Sequence, residues 1–120
     1  MKSFYTACAI LLAIAAVIAF NTFYVTRKID ELDRLCAEIS EAENPEPLAE
    51  QLRILWNDSK TSLTLSVRHT EAERAENALL KLSSYLESGE RADFLAELAV
   101  FRAVLRDISD SQKFSADNIF

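Results

Sequence analysis

The sequence predicts an all-α fold in which an N-terminal transmembrane helix continues into an antiparallel bundle of three to four helices. Two observations lead to this prediction: a long uncharged apolar run near the N-terminus, and a composition with one Gly and two Pro in 120 residues. So few turn formers argue against sheets with tight hairpins, whereas abundant Ala, Leu and Glu favour helices. We therefore divide the chain into a short tail at 1–3, a transmembrane helix at 4–26 and an acidic helical bundle domain at 27–120.

The apolar run has the length and the flanks of a membrane anchor. Residues 4–26 contain no charged side chain, and as a helix they extend about 33 Å, enough to cross a hydrocarbon core about 30 Å thick. Aromatic side chains lie at both ends, Phe4 and Tyr5 on one side and Phe23 and Tyr24 on the other. Such rings favour the headgroup level of a bilayer.

A cleaved secretory signal is the competing interpretation, since Ala13-Ile14-Ala15 fits the small-x-small cleavage pattern. We favour an uncleaved signal anchor because the apolar run continues past that site. The count of basic residues favours a cytoplasmic domain, because Arg27 and Lys28 follow the run whereas Lys2 is the single basic side chain before it. The short N-terminal tail and the acidic neighbours of the basic pair lead us to expect a single-pass protein of the cell membrane with an extracytoplasmic domain.

Charge and cysteine content limit the possible partners. All nineteen acidic residues and twelve of the thirteen basic residues follow the apolar run, so the domain has a net charge of 12 − 19 = −7. An acidic surface repels phosphates, and we expect no nucleic acid partner. Cys8 and Cys36 lie about 42 Å apart along one predicted helix, which excludes a disulfide between them.

The first helix is predicted to continue beyond the membrane, because apolar residues recur there at alternating steps of four and three. This pattern is typical of a coiled-coil seam that packs against other helices, and we interpret it as a candidate assembly seam. Two prolines in the segment 43–47 then end the helix. The seam residues are Val25, Ile29, Leu32, Cys36 and Ile39.

A second helix is predicted from Pro47, which suits a first helical turn. Its apolar stripe includes Trp56, and a polar stretch at 57–64 interrupts that stripe. Thr70 and Glu73 match a capping box and predict the start of a third helix.

The third and fourth helices form a predicted helical hairpin. Three alanines at 72, 75 and 78 give the third helix a small-residue face, and Gly89 follows it at a position suited to a left-handed cap. The fourth helix has apolar residues at three-four spacing from Phe94 to Ile108. The tail beyond it ends in two apolar residues, which we expect to dock on the bundle.

Two side chains are candidates for ligand contact. His69 precedes Glu73 and Glu76 at helical spacing, which suggests a divalent metal site; the favoured alternative is that its imidazole closes the end of the second helix. Trp56 with Arg53 and Lys60 nearby suggests a cation–π platform, whereas a lone tryptophan on an apolar stripe more often belongs to the core. We favour the structural interpretation for both, and we expect no cofactor or metal.

The sequence lacks the motifs of known enzyme classes. It contains no G-x-S-x-G, no H-E-x-x-H, no glycine-rich phosphate loop and only one histidine. Carboxylate chemistry, as in a cell-wall enzyme, remains a third hypothesis that requires two close carboxylates in a cleft. We therefore predict a protein that is not an enzyme.

The chain resembles the domain of unknown function 4363 family of bacterial single-pass membrane proteins. The resemblance covers nearly the whole chain and is most specific in Trp56-x3-Lys-x2-Leu, in His69-x-Glu and in the C-terminal segment 115–120. The alanines of the third helix depart from the larger apolar residues expected there. The resemblance implies a Gram-positive-type membrane protein of unassigned activity, and it identifies Trp56, His69, Asn118, Ile119 and Phe120 as a shared structural lock or contact surface, of which we favour the lock.

These observations lead to two functional hypotheses of different classes. The first is an interaction or accessory module that binds another membrane or envelope protein, or a second copy of itself, at the surface of the bilayer. The second is an extracytoplasmic domain that senses a ligand or cation through the polar stretch 57–64 or the acidic surface.

Overall fold

Four α-helices make up the part of the chain that the structure describes. The structure is a computed structural model that describes residues 1–64 and 69–119, with the side chains of 1–60 and 69–114. Within those residues there is no strand, which confirms the all-α prediction. The helices are α1 (Lys2–Glu41), α2 (Glu46–Thr64), α3 (His69–Glu87) and α4 (Arg91–Ile119).

The first helix is continuous from the apolar run into the bundle, as the sequence predicts. Its apolar N-terminal half is long and hydrophobic enough to cross a membrane, and no side chain in its most apolar window is buried. Its second half buries the predicted seam, whose five side chains are at most 3% exposed. Because Val25 is fully buried, the last turn of the 4–26 segment already belongs to the bundle.

The helices form a square bundle in which each helix packs against two neighbours. Close Cα pairs join α1 to α2, α2 to α3, α3 to α4 and α4 back to α1, and no diagonal pair of helices approaches as closely within the described residues. Side-chain contacts fix the antiparallel arrangement of α1 and α4. Arg91, at the start of α4, donates to the carbonyl of Ala42 at the end of α1, whereas Arg102 binds Asp33 further down.

The core of the bundle consists of apolar side chains from all four helices. Each helix contributes a stripe with three-four spacing, so the four stripes meet along the bundle axis. The largest fully buried side chains outside the seam are Leu52, Trp56, Leu82, Phe94, Leu98, Phe101, Leu105 and Ile108.

The α1–α2 and α3–α4 connections agree with the sequence signals to within one residue. α2 begins at Glu46, one residue before the predicted start at Pro47. Between α3 and α4, Gly89 has φ +74°. Its N–H donates to the carbonyl of Leu86, and the N–H of Glu90 donates to the carbonyl of Tyr85. This is a Schellman pattern, and it confirms the left-handed cap predicted at the glycine.

Two boundaries differ from the prediction. α3 begins at His69, so Thr70 lies inside the first turn, and the Glu73 carboxylate binds the His69 ring. The predicted capping box is therefore wrong.

α4 continues to Ile119, through the segment expected to be a tail. That segment lacks Gly and Pro, so nothing in it stops the helix, although too few apolar residues remain to show a helical period.

Candidate functional site

Trp56 joins three helices in the interior of the bundle. It is 1% exposed, and its indole N–H donates to Oε2 of Glu76 on α3 at 2.5 Å. Its ring meets Phe101 of α4 edge to face, with 5.8 Å between ring centroids. Tryptophan combines a large apolar area with one polar N–H that needs an acceptor when buried, and Glu76 supplies that acceptor.

The remaining contacts of Glu76 explain the cations near Trp56. Lys60 Nζ lies 3.4 Å from Oε1 of Glu76, so the lysine pairs with the same carboxylate that accepts the indole N–H. Arg53 instead binds Glu50 one turn earlier, and this contact lowers the pKa of that carboxyl. The two predicted platform cations therefore pair with carboxylates. Through its contacts with Trp56 and Lys60, Glu76 forms a structural connection between α2 and α3.

The polar stretch after Trp56 contains both exposed and buried side chains. Asn57 and Asp58 are exposed, whereas Ser59 is 2% exposed and lies within the bundle. The side chains of 61–64 lie outside the described residues, so the predicted sensing surface stays a prediction there.

His69 lies on the surface with one carboxylate beside it. Its Nε2 is 2.8 Å from Oε1 of Glu73, and the two side chains are 83% and 61% exposed. The predicted third ligand, Glu76, is engaged by Trp56 and Lys60. Among the residues that the structure describes, no group of three His, Cys, Asp or Glu side chains is placed to hold a metal ion.

A bidentate ion pair connects α1 to α4. Arg102 Nε lies 2.8 Å and Nη2 lies 3.3 Å from the two carboxylate oxygens of Asp33, a bidentate arrangement that raises the pKa of the arginine. Burial and the nearby Asp33 raise the pKa of the Cys36 thiol to about 12. Sequence reasoning missed this cluster because the two partners are 69 residues apart, and no local pattern links them.

The assembly seam lies inside the chain. All five seam side chains belong to the core cluster to which α2, α3 and α4 also contribute, and Cys36 is fully buried. The seam therefore offers no surface to a second chain, and the interaction proposed below uses other faces.

The C-terminal candidates are only partly described. Asn118 and Ile119 lie in the last turn of α4. Their side chains, and Phe120 altogether, lie outside the described residues, so the predicted docking of this segment stays a prediction.

Two grooves between helices are lined largely by charged side chains. One groove of about 180 Å³ lies between α1 and α4, and its lining includes Asp30, Arg106, Asp110 and Lys113. A groove of about 370 Å³ between α2 and α3 has Glu50 and other charged residues in its lining. Small-molecule sites are usually concave and mostly apolar, so these two grooves resemble ordinary surface between packed helices.

Among the side chains that the structure describes, the longest series of exposed apolar residues belongs to the N-terminal half of α1. The large side chains there are 51% to 71% exposed from Phe4 to Phe23, apart from Ile18, which is partly covered. Soluble monomers rarely expose a continuous apolar surface of this length.

Comparisons with known proteins find one family. The family described as "Domain of unknown function (DUF4363)" matches residues 22–119, a stretch that begins near the end of the apolar run and includes the whole bundle. No curated protein and no solved structure matches the chain.

Proposed function

Since this chain belongs to the DUF4363 family, whose description assigns no activity, we propose its function from its geometry. We propose a single-pass membrane protein whose acidic extracytoplasmic bundle is a non-enzymatic interaction or accessory module for another membrane or envelope protein. The observation that supports this proposal most directly is that α1 is both the apolar helix and a core helix of the bundle.

The continuity of α1 supports a site of action at the surface of the bilayer. A helix of 40 residues is about 60 Å long, and its buried stripe begins at Val25, directly after the apolar run. With no flexible linker, the bundle is held against the bilayer and cannot search far from it. Its partner is therefore a protein of the same membrane or of the adjacent envelope.

The charge of the bundle indicates the chemistry of that partner. The segment 27–120 has a net charge of −7, and complementary charge speeds association and selects partners. We propose a partner that presents a basic face close to the membrane surface.

Cysteine accessibility tests the anchoring and the side of the membrane. Cys36 is buried and its pKa is raised, so in a Cys8→Ala background a maleimide reports on introduced cysteines alone. We expect Asn57→Cys, on the exposed face of α2, to react in intact cells with a membrane-impermeant maleimide, and Val17→Cys to stay protected. Reaction of Asn57→Cys only after lysis would contradict the extracytoplasmic orientation. Release of the protein from membranes by alkaline carbonate would contradict the anchor.

Photocrosslinking in native membranes tests the interaction. Three exposed apolar residues lie on three different helices, Ile54 on α2, Leu80 on α3 and Val100 on α4. A photoreactive amino acid at each position should give a discrete adduct at one of them and no adduct at the exposed Lys81. If no position gives an adduct and the detergent-solubilised protein is strictly monomeric, the proposal fails.

A further inference from the structure

We propose that the end of the bundle opposite the anchor is a docking site for a protein segment rich in lysine or arginine. One aliphatic or aromatic side chain of that segment enters an apolar groove, and its cations pair with the carboxylates around the groove. This end, which we call the distal tip, consists of the segments 38–50 and 87–93. The inference rests on the proposed function and deepens it, because it names the surface through which the module binds its partner.

The distal tip brings two helix connections together. Nη2 of Arg91, at the start of α4, donates to the carbonyl of Ala42 at 3.4 Å, so the α1–α2 and α3–α4 connections lie at one end of the bundle. Burial of α1 begins at Val25, sixteen residues before Glu41, which is about 24 Å along the helix. The tip is therefore the part of the bundle farthest from the apolar run.

An apolar groove of about 160 Å³ lies between the two connections. Pro45 and Phe94 in its lining are buried, whereas Tyr85 and Leu86 are half-buried and can be reached from outside. Small-molecule sites are usually about 300–1,000 Å³, so this groove suits a single side chain better than a free ligand. An apolar side chain that enters it leaves water, which favours binding.

The net charge of the bundle is concentrated around this groove. The distal tip contains eight acidic residues and one basic residue, a net charge of 1 − 8 = −7. The rest of the segment 27–120 contains eleven of each sign, so the tip accounts for the whole net charge of the domain. All eight carboxylates are exposed: Glu38, Glu41, Glu43, Glu46, Glu50, Glu87, Glu90 and Asp93.

Most of these carboxylates have no cation beside them. Among the residues that the structure describes, Glu50 is the one member of the eight that forms an ion pair, with Arg53. Arg91, the basic residue of the tip, bonds to a carbonyl. The tip therefore presents uncompensated negative charge around an apolar groove.

Helix dipoles explain some of these positions and oppose others. Glu46 and Asp93 lie in the first turns of α2 and α4, where negative charge is favourable. Glu41 and Glu87 are the last residues of α1 and α3, and neither helix has a basic residue in its last turn. Negative charge at a helix C-terminus is unfavourable. Folding therefore does not account for these two carboxylates, whereas binding of a basic segment does.

The charge of the tip selects its occupant. A second copy anchored in the same bilayer presents its own acidic tip at the same height, so two tips repel each other. Phosphates of nucleic acids and anionic lipids are repelled in the same way. A segment with lysine or arginine on both sides of an apolar residue complements both the carboxylates and the groove.

Fluorescence anisotropy tests this proposal with the full-length protein in phosphatidylcholine nanodiscs. The probe is a labelled peptide of lysines with one central leucine, and the matched peptide has serine in place of the leucine. We expect the leucine peptide to bind about tenfold more tightly, because its apolar side chain enters the groove. Equal affinities, or no binding of either peptide, would overturn the proposal.

The double variant Glu41→Lys, Glu87→Lys shows whether the peptide binds at the tip. It should weaken binding of the leucine peptide at least about tenfold. The same variant should raise the thermal midpoint of unfolding by a few degrees, because lysine is favourable at a helix C-terminus. A loss of affinity in a more stable protein cannot result from misfolding.

The matched control is the double variant Asp58→Lys, Asp110→Lys. It changes the net charge by the same amount at two exposed positions outside the tip. Charges more than about 8 Å apart are largely screened at physiological salt, so the control should weaken binding by at most about twofold. Equal losses in the two double variants would show that the peptide responds to net charge alone, which would overturn the proposal.

Photocrosslinking in native membranes separates this proposal from the proposed function. A photoreactive amino acid at Tyr85, in the lining of the groove, should give an adduct that Glu41→Lys, Glu87→Lys abolishes. If Ile54, Leu80 or Val100 gives an adduct and Tyr85 does not, the tip proposal is wrong and the proposed function stands. If no position gives an adduct and the solubilised protein is strictly monomeric, both proposals fail.

Discussion

At the scale of single residues, Trp56 connects three of the four helices. It packs on Phe101 of α4 and donates to Glu76 of α3 while it belongs to α2. The family resemblance singled out this residue as a lock or as a contact surface. Its burial and its satisfied N–H favour the lock, because a buried side chain is not available to a partner.

Substitution of Trp56 measures the strength of this connection. Trp56→Phe keeps a ring but removes the N–H, and we expect it to lower the free energy of unfolding by about 1–3 kcal/mol. Trp56→Ala also leaves a cavity and should cost about 3–5 kcal/mol. Urea titration of the detergent-solubilised protein, followed by circular dichroism, gives both values. Glu76→Gln is the control, since its amide oxygen still accepts the indole N–H and it should cost less than Trp56→Phe. Wild-type stability in Trp56→Phe would show that the hydrogen bond contributes nothing.

The buried Cys36 thiol should make the free energy of unfolding of the bundle depend on pH in the alkaline range. Burial, assisted by Asp33, raises the pKa of its thiol from 9.0 to about 12. Below pH 9 the thiol is protonated in both folded and unfolded chains, so it has no effect on the pH dependence. Between pH 9 and 12 only the unfolded chain loses the proton, and the free energy of unfolding should fall by up to about 1.4 kcal/mol per pH unit.

The variant Cys36→Ala isolates this effect from the titration of lysines and tyrosines. Its stability should decline less steeply than that of the wild-type protein above pH 9, when both are measured by urea titration at a series of pH values. Parallel profiles across this range would contradict the buried, protonated thiol.

At the scale of helices, the sequence predicted best where apolar periodicity was strong. α1 combines an uncharged run with a seam of five regularly spaced residues, and the structure confirms both its continuity and the burial of its seam. The C-terminal part of α4 has few apolar residues, so its helical state was not visible in the pattern. Gly89 was predictable because its left-handed conformation depends on local chemistry alone.

Contacts between helices were beyond the reach of the sequence pattern. Trp56 with Glu76, and Asp33 with Arg102, depend on which helices become neighbours and at what axial register. Periodicity identifies the buried face of a helix, but it does not pair polar residues across the bundle. The seam illustrates the same limit, since its pattern predicts burial without stating whether the partner helices belong to the same chain.

Insertion of one residue into α1 changes the helical register between the apolar run and the seam. Insertion of an alanine after Thr26 rotates everything before it by about 100° relative to the seam. Val25 then leaves the core, and we expect the free energy of unfolding to fall by at least about 1.5–3 kcal/mol. Urea titration followed by circular dichroism measures the change.

The matched control is an alanine inserted after Ala13, within the exposed part of α1. This insertion lengthens the anchor and leaves the seam in phase, so bundle stability should stay at the wild-type value. If the two insertions had equal effects, the rotation of the apolar run relative to the seam would have no influence on the packing of the bundle.

At the scale of the whole molecule, the chain is a rod. Its extents are 68 × 21 × 20 Å, and its radius of gyration is 17.9 Å, compared with about 14 Å for a compact globule of the same length. The excess comes from the N-terminal half of α1, which projects from the bundle. This shape fits a protein that presents a small acidic bundle at a membrane surface and holds it there without a linker.

The measurement that tests this account most directly is a distance along α1 in a lipid nanodisc. Spin labels at Ile14, in the apolar run, and at Glu38, on the exposed face of the bundle, are separated by 24 residues, or about 36 Å along a continuous helix. In a Cys8→Ala, Cys36→Ala background, pulsed electron resonance should give one narrow distribution near that distance. A broad distribution, or a clearly shorter distance, would show that the helix bends or breaks at the membrane surface and would contradict a bundle fixed rigidly to its anchor.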